Sequence, residues 1–189
     1  YSHLNRVTDA QDATLGIVAP DGRDGMLQHA QDLAAAGVPF VFDPGQGLPM
    51  FSGEELLGFM RLANYACFND YEAKLLCDRT GRSLEQLATE VQALIVTLGG
   101  AGSRILADGR CHEIPCVQAE AVVDPTGCGD AYRSGLLYGI AAGWDWEKVG
   151  RLAAVMGAIK IAHRGGQNHR PGRADISDLF AKAFGTNLW

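Results

Sequence analysis

The feature that most constrains the fold is a regular alternation of short apolar runs with amphipathic ones over the first hundred residues. Thr14-Leu15-Gly16-Ile17-Val18-Ala19 reads as a buried strand that ends at Pro20-Asp21-Gly22. Residues 24–36 then place Leu27, Ala30, Leu33 and Ala34 on one helical face, and Gly37 stops the helix. Val38–Asp43 is the next strand, Tyr65–Phe68 a third and Ala93–Leu98 a fourth. Between them lie helices opened by two capping boxes, Ser52-Gly53-Glu54-Glu55 and Ser83-Leu84-Glu85-Gln86, and a helix over about 71–77. Strands that are apolar throughout and separated by helices imply a mostly parallel sheet covered on its faces, an α/β fold of Rossmann-like type.

After Leu98 the texture changes. Arg104–Ala107 and Cys111–Ile114 flank Asp108-Gly109, which predicts an antiparallel hairpin with a type I′ turn. Two long helices follow, over 127–143 and 145–164, and a short one over 175–183. No repeat or linker is visible, so residues 1–189 read as a single α/β domain. With 16 basic against 22 acidic residues, the net charge of −6 argues against a nucleic-acid partner. No apolar run approaches the roughly 18–20 residues of a membrane span. Tyr1–Asn5 carries no basic or apolar leader character. The five cysteines form no CxxC pair and the five histidines no cluster with them, which favours reduced thiols in a cytoplasmic protein over a zinc site.

The chemistry concentrates in Val122-Val123-Asp124-Pro125-Thr126-Gly127-Cys128-Gly129-Asp130-Ala131-Tyr132. A β-like segment runs through Gly-Cys-Gly directly into a helix whose first turn carries Asp130. Small residues there leave helix-start amides open to an anion, which the dipole also favours. A carboxylate in that turn is placed to take a proton from a hydroxyl attacking phosphorus. From spacing alone the stretch reads equally well as a glycine-rich turn with an aspartate cap. Cys128, at a helix start, is expected to be the most reactive of the thiols. Alone, Glu72 reads as a solvated charge at a helix start, and Arg133 as either a phosphate contact or a surface ion pair. No GxxxxGK[ST] loop occurs, and Gly99-Gly100-Ala101-Gly102 leads into a strand, so it fails the context of a dinucleotide fingerprint.

Asp124–Tyr132 resembles the C-terminal signature of the ribokinase (PfkB-type) family of carbohydrate and nucleoside kinases. Three further segments resemble that family in the same order: Asn69-Asp70-Tyr71-Glu72 its N-x-x-E motif, Thr97-Leu98-Gly99-Gly100-Ala101-Gly102 its nucleotide loop, and Arg164-Gly165-Gly166-Gln167 its closing loop. Within the family the wording is most similar to bacterial adenosine kinases of the mycobacterial type. The resemblance implies a ribokinase-like fold and transfer of the γ-phosphoryl group of ATP to a hydroxyl of a nucleoside, the 5′-OH of adenosine, as the small-molecule substrate. A ribokinase-like sugar kinase and a non-catalytic nucleotide-binding module stand as alternatives. It further implies Asp130 as general base, and Gly127, Cys128 and Gly129 as an anion hole. Asn69, Thr97, Gly99, Gly102 and Gly129 would line the ATP site, with Glu72 and Asn69 holding Mg²⁺ through water. Asp124, Thr126, Ile161, Arg164 and Gly166 would hold a monovalent cation such as K⁺. Ala153-Ala154-Val155 departs from the family, whose members often present an asparagine there. Nothing before Thr14 is similar to the family's acceptor-gripping glycines or lid, and the chain lacks an initiator Met. The chain is therefore expected to be the C-terminal, nucleotide-binding part of a longer kinase, inactive alone, with an open sheet edge that favours a homo-oligomer.

Overall fold

The buried runs pair in the order in which they occur along the chain. The computed structural model describes residues 6–9 and 12–189, so the Tyr1–Asn5 opening and His3 lie outside the described residues. The strands are β1 (Gly16–Val18), β2 (Phe40–Phe42), β3 (Tyr65–Asn69), β4 (Ala93–Thr97), β5 (Ser103–Ala107) and β6 (Arg110–Ile114). The helices are α1 (Arg23–Ala35), α2 (Gly53–Leu62), α3 (Asp70–Thr80), α4 (Leu84–Ala88), α5 (Cys128–Ala141), α6 (Trp146–Ile161) and α7 (Arg173–Phe184). Among the described residues the sheet has six strands in the order β1-β2-β3-β4-β5-β6. The first four are parallel, with Ile17 opposite Val41, Val41 opposite Tyr65 and Asn69 opposite Thr97. The β4-β5-β6 pairs are antiparallel. Asp108 (φ 52°) and Gly109 (φ 70°) are both left-handed, the geometry that the predicted type I′ turn requires.

Contacts divide the chain into two compact units, one running through Leu98 and including Arg104–Cys111, the other formed by Gly99–Ser103 and His112–Trp189. The first unit packs around phenylalanines. Phe42 stacks on Phe59 at 4.4 Å between centroids, and Phe51 meets Phe59 edge-on at 4.9 Å. Each such pair adds about 0.5–1.5 kcal/mol beyond the area it buries. Both predicted capping boxes form, with Ser52 and Glu55 reciprocally bonded at the start of α2 and Ser83 and Gln86 at the start of α4.

The second unit is built on the close antiparallel pair α5 and α6. A Cβ on Gly135 would lie 2.7 Å from Ala153 Cα, and one on Gly139 would lie 2.9 Å from Val149 Cγ2. The two helices thus touch backbone to backbone, and Ala153 is fully buried in that crossing. Because the pair is antiparallel, the start of α5 is carried to the loop that follows α6. Gly127, expected as the first residue of this helix, is instead the N-cap of α5, at φ 79°, and the helix begins at Cys128.

Candidate active site

In the first unit, the strand register brings two of the predicted segments together. Asn69 and Thr97 are partners at the carboxyl ends of β3 and β4, the edge of a parallel sheet where ligands bind. Asn69 caps α3, its Oδ1 accepting from Glu72 N at 2.8 Å. Glu72 returns both oxygens: Oε2 accepts from Asn69 N at 2.9 Å and Oε1 from Asn69 Nδ2 at 2.8 Å. The reading of Glu72 as a solvated charge is therefore corrected. It is buried, at 9% exposure, because Asn69 satisfies its carboxylate from two directions. Each of those oxygens keeps a lone pair, so a rigid carboxylate remains that fits a water-mediated contact to Mg²⁺, an ion that retains several waters. The Thr97 hydroxyl turns to Phe68 O at 3.4 Å.

The remaining predicted residues lie in the second unit. Gly99 is left-handed and starts a short 3₁₀ turn over Gly99–Ala101. At Gly102 only glycine fits: φ is 93° and a Cβ would lie 2.1 Å from Ile114 O. Gly127 is similarly held, since a Cβ there would stand 3.0 Å from both Cα and O of Gly166. The glycine loop thus rests directly on the 164–167 segment, as the grouping of those motifs requires.

Asp124 fastens the two. Its Oδ1 accepts from Thr126 N at 2.9 Å and its Oδ2 from Gly165 N at 2.7 Å. Those amides, first Gly165 and then Thr126, hold its carboxyl at about 2, well below the usual 3.8. Ile161 O accepts from both Val123 N (2.9 Å) and Asp124 N (3.1 Å), and Arg164 O accepts from Asn168 Nδ2 at 2.8 Å. Of the oxygens assigned to a monovalent cation, Ile161 O is thereby fully taken up by two N–H donors, and each Asp124 carboxylate oxygen and Arg164 O already accepts from one. The cation found in this place is one that the motifs did not single out. Lys160, fully buried, donates to Asp124 O at 2.8 Å and to His163 O at 3.0 Å. Its sequence signal is a lone charge within Leu152–Ala162, an otherwise apolar helix end.

The first turn of α5 differs in detail from expectation. The amide of Cys128 turns back to Pro125 O at 3.1 Å and is not an open donor. Among the described residues nothing accepts from the amides of Gly129 and Asp130, which leaves this pair for an outside anion. Asp130 is exposed in the same turn. Arg133 folds back along the helix, so that its Nη1 lies 2.6 Å from where a Cβ on Gly129 would be. The expectation of a reactive Cys128 is also corrected. Burial pushes its thiol up, the charge of Lys160 pulls it down and Asp124 raises it again, with burial the largest effect. Tyr132, one residue beyond Ala131, is buried and shares a 2.8 Å hydrogen bond with Ser103, which anchors α5 to the start of β5 within this unit.

A family model described as pfkB family carbohydrate kinase matches residues 10–173. The nucleoside kinase of Methanocaldococcus jannaschii is 38% identical over 130 residues, 69% of this chain and 43% of that protein. Structures of Burkholderia thailandensis nucleoside kinase in complex with inosine and with ADP-inosine superpose with a TM-score of 0.96 at 55% identity. They cover 98% of this chain and 61% and 58% of theirs. Arabidopsis thaliana ribokinase complexed with ribose and ATP, at 21% identity and a TM-score of 0.73, shares the fold over 92% of this chain. The chain spans 43% of the archaeal relative and about six tenths of the Burkholderia chains. With a match that runs through all four ordered motifs and a ribokinase-like α/β fold, the chain belongs to the pfkB family of carbohydrate kinases, the ribokinase family.

Proposed function

We propose that this chain carries the phosphoryl-transfer machinery of an ATP-dependent nucleoside kinase, with the 5′-OH of a purine nucleoside as acceptor. The observation that carries the reading is the first turn of α5, where the open amides of Gly129 and Asp130 and the exposed carboxylate of Asp130 occur together. In that reaction the acceptor oxygen forms a bond to the γ-phosphorus while its proton passes to Asp130. The bond from the γ-phosphorus to the β–γ bridging oxygen breaks, and ADP leaves. Negative charge on the transferring group meets the amides of Gly129 and Asp130, and the helix dipole adds to them. Arg133, folded over Gly129, adds a positive charge beside them. Mg²⁺ bound with ATP supplies neutralisation of the phosphate charge, and Glu72 with Asn69 would hold its waters.

The acceptor is argued from two sides. The wording of the Asn69–Glu72 and Asp124–Arg133 segments is similar to adenosine kinases, whereas the Burkholderia relative at 55% identity is in complex with inosine. Both are purine nucleosides, so adenosine and inosine are the acceptors to test against ribose. Purified protein assayed with labelled ATP and each acceptor tests the reading, with Asp130→Asn as control. Phosphorylation of a purine nucleoside that is lost in Asp130→Asn supports it. Ribose as the preferred acceptor would favour a sugar kinase, and nucleotide binding without any turnover would favour a non-catalytic module.

A further inference from the structure

We infer that Lys160 is the resident cation of the glycine loop, and that its ammonium does the fastening for which a monovalent metal ion is expected. Lys160 is fully buried, yet among the described residues it makes no ion pair. Its partners are two main-chain oxygens, Asp124 O before the glycine loop and His163 O after α6. A buried ammonium is costly unless several oxygens converge on it. Here two carbonyls from separate segments do so, at 2.8 and 3.0 Å.

The position suits a cation. Lys160 lies in the last turn of α6, where the helix dipole favours positive charge. The neighbouring carboxylate of Asp124 is already turned to the amides of Thr126 and Gly165, so its negative charge stands beside the ammonium without bonding to it. Ile161 O, which a metal ion would need, has both lone pairs directed at the amides of Val123 and Asp124. A positive point charge that draws together Asp124 O and His163 O sets the path of residues 124–127 against residues 163–166. That is what places the start of α5. A covalently attached cation does this at any salt composition, so the loop should be indifferent to K⁺. The link to phosphoryl transfer rests on the function proposed above, whereas the loop geometry can be read without turnover.

The test compares wild type, Lys160→Met and Lys160→Ala in chlorides of potassium, ammonium, sodium and tetramethylammonium at matched ionic strength, reading melting temperature and ADP affinity. Wild type is expected to be the same in all four salts. Lys160→Met, which keeps most of the stem volume, should melt several degrees lower and bind ADP more weakly in every salt. Lys160→Ala, which opens room, should recover part of both in potassium or ammonium but not in tetramethylammonium. A saturable potassium-specific gain in wild type overturns the inference whether or not either variant folds. So does a Lys160→Ala protein equal to wild type in tetramethylammonium, or one weakened equally in all four salts, which would reduce the lysine to a packing role. Loss of kinase turnover with these salt responses intact would instead count against the functional reading alone.

Discussion

Replacing Gly135 by alanine should lower stability, and the same replacement at Gly157 should raise it, although both glycines lie within the paired helices of the second unit. At Gly135 the added methyl would stand 2.7 Å from Ala153 Cα, 2.9 Å from Ala153 N and 3.1 Å from Leu152 C. Carbon atoms pack best at about 3.5–4.0 Å. All three neighbours are backbone of the facing helix and cannot rotate aside, so α5 and α6 must part locally by roughly 1 Å. Overpacking costs about 1–3 kcal/mol, and a contact made wholly with backbone belongs in the upper part of that range. Alanine recovers about 1 kcal/mol of helix propensity, leaving a net loss of about 1–2 kcal/mol. For a chain of this length each kcal/mol moves the melting temperature by about 2–4 °C. At Gly157 the nearest atom is Cys128 O at 3.9 Å, an ordinary contact, so only the propensity gain of about 1 kcal/mol remains. Thermal melts followed by far-UV circular dichroism read both. Gly135→Ala melting at or above wild type, or Gly157→Ala melting below Gly135→Ala, would refute the reasoning.

Asp130→Asn should lower kcat by about 10²–10⁴ while ATP affinity changes little, because a general base acts in the transition state; a variant within threefold of wild type removes Asp130 from the mechanism. Glu72→Gln turns an amide toward the N–H groups of Asn69, so the start of α3 should weaken by about 1 kcal/mol and the Mg²⁺ requirement at fixed ATP should rise; an unchanged Mg²⁺ titration would restrict Glu72 to capping. Alkylation mapped by mass spectrometry should find the exposed Cys111 and Cys116 ahead of Cys128, with the buried Cys67 last; labelling of Cys128 first would contradict the dominance of burial there. The Asp124 carboxyl, held at about 2 by Gly165 and Thr126, contributes stability that is present above its ordinary 3.8 and lost as pH falls through about 2. The melting difference between wild type and Asp124→Asn should therefore shrink across that acid window, and a constant difference would count against it.

Much of this architecture was legible because it depends on local rules. Continuous apolar runs such as Ala93–Leu98 cannot face water on either side, which forces parallel strands under helices. Ser52 with Glu55, Ser83 with Gln86 and Asp108-Gly109 act within four residues, and each does in the structure what its spacing implies. What escaped depends on partners far along the chain or on a balance of opposing terms. Lys160 meets Asp124 across 36 residues, and no motif connects them. Cys128 sits where a helix dipole lowers a thiol, but burial works the other way and is larger. Glu72 was legible as a motif and misread as a surface. Its spacing to Asn69 is that of a capping box, and following the reciprocal bond from Asn69 N would have foretold that the carboxylate is satisfied and able to be buried.

Asp124, before the glycine loop, and Asp130, in the first turn of α5 after it, stand six residues apart, and their surroundings give them opposite uses. A carboxylate beside an anion site should repel phosphate. Asp124 avoids this because both oxygens accept backbone N–H groups and a buried ammonium lies against its carbonyl, so its charge is spent on holding the loop. The Asp130 carboxylate accepts no hydrogen bond among the described residues and is exposed in the first turn of α5. Its repulsion is offset instead by positive elements gathered at the same point: the helix start, the open amides of Gly129 and Asp130, and Arg133 folded over Gly129. Exchanging the two environments would ruin both roles. A saturated Asp130 could not accept a proton, and an unsaturated Asp124 would release the loop and repel the phosphate. The glycines at 127 and 129 permit the division. Gly127 supplies the left-handed turn that rests on Gly166, and Gly129 leaves space for the guanidinium of Arg133, which a side chain there would displace.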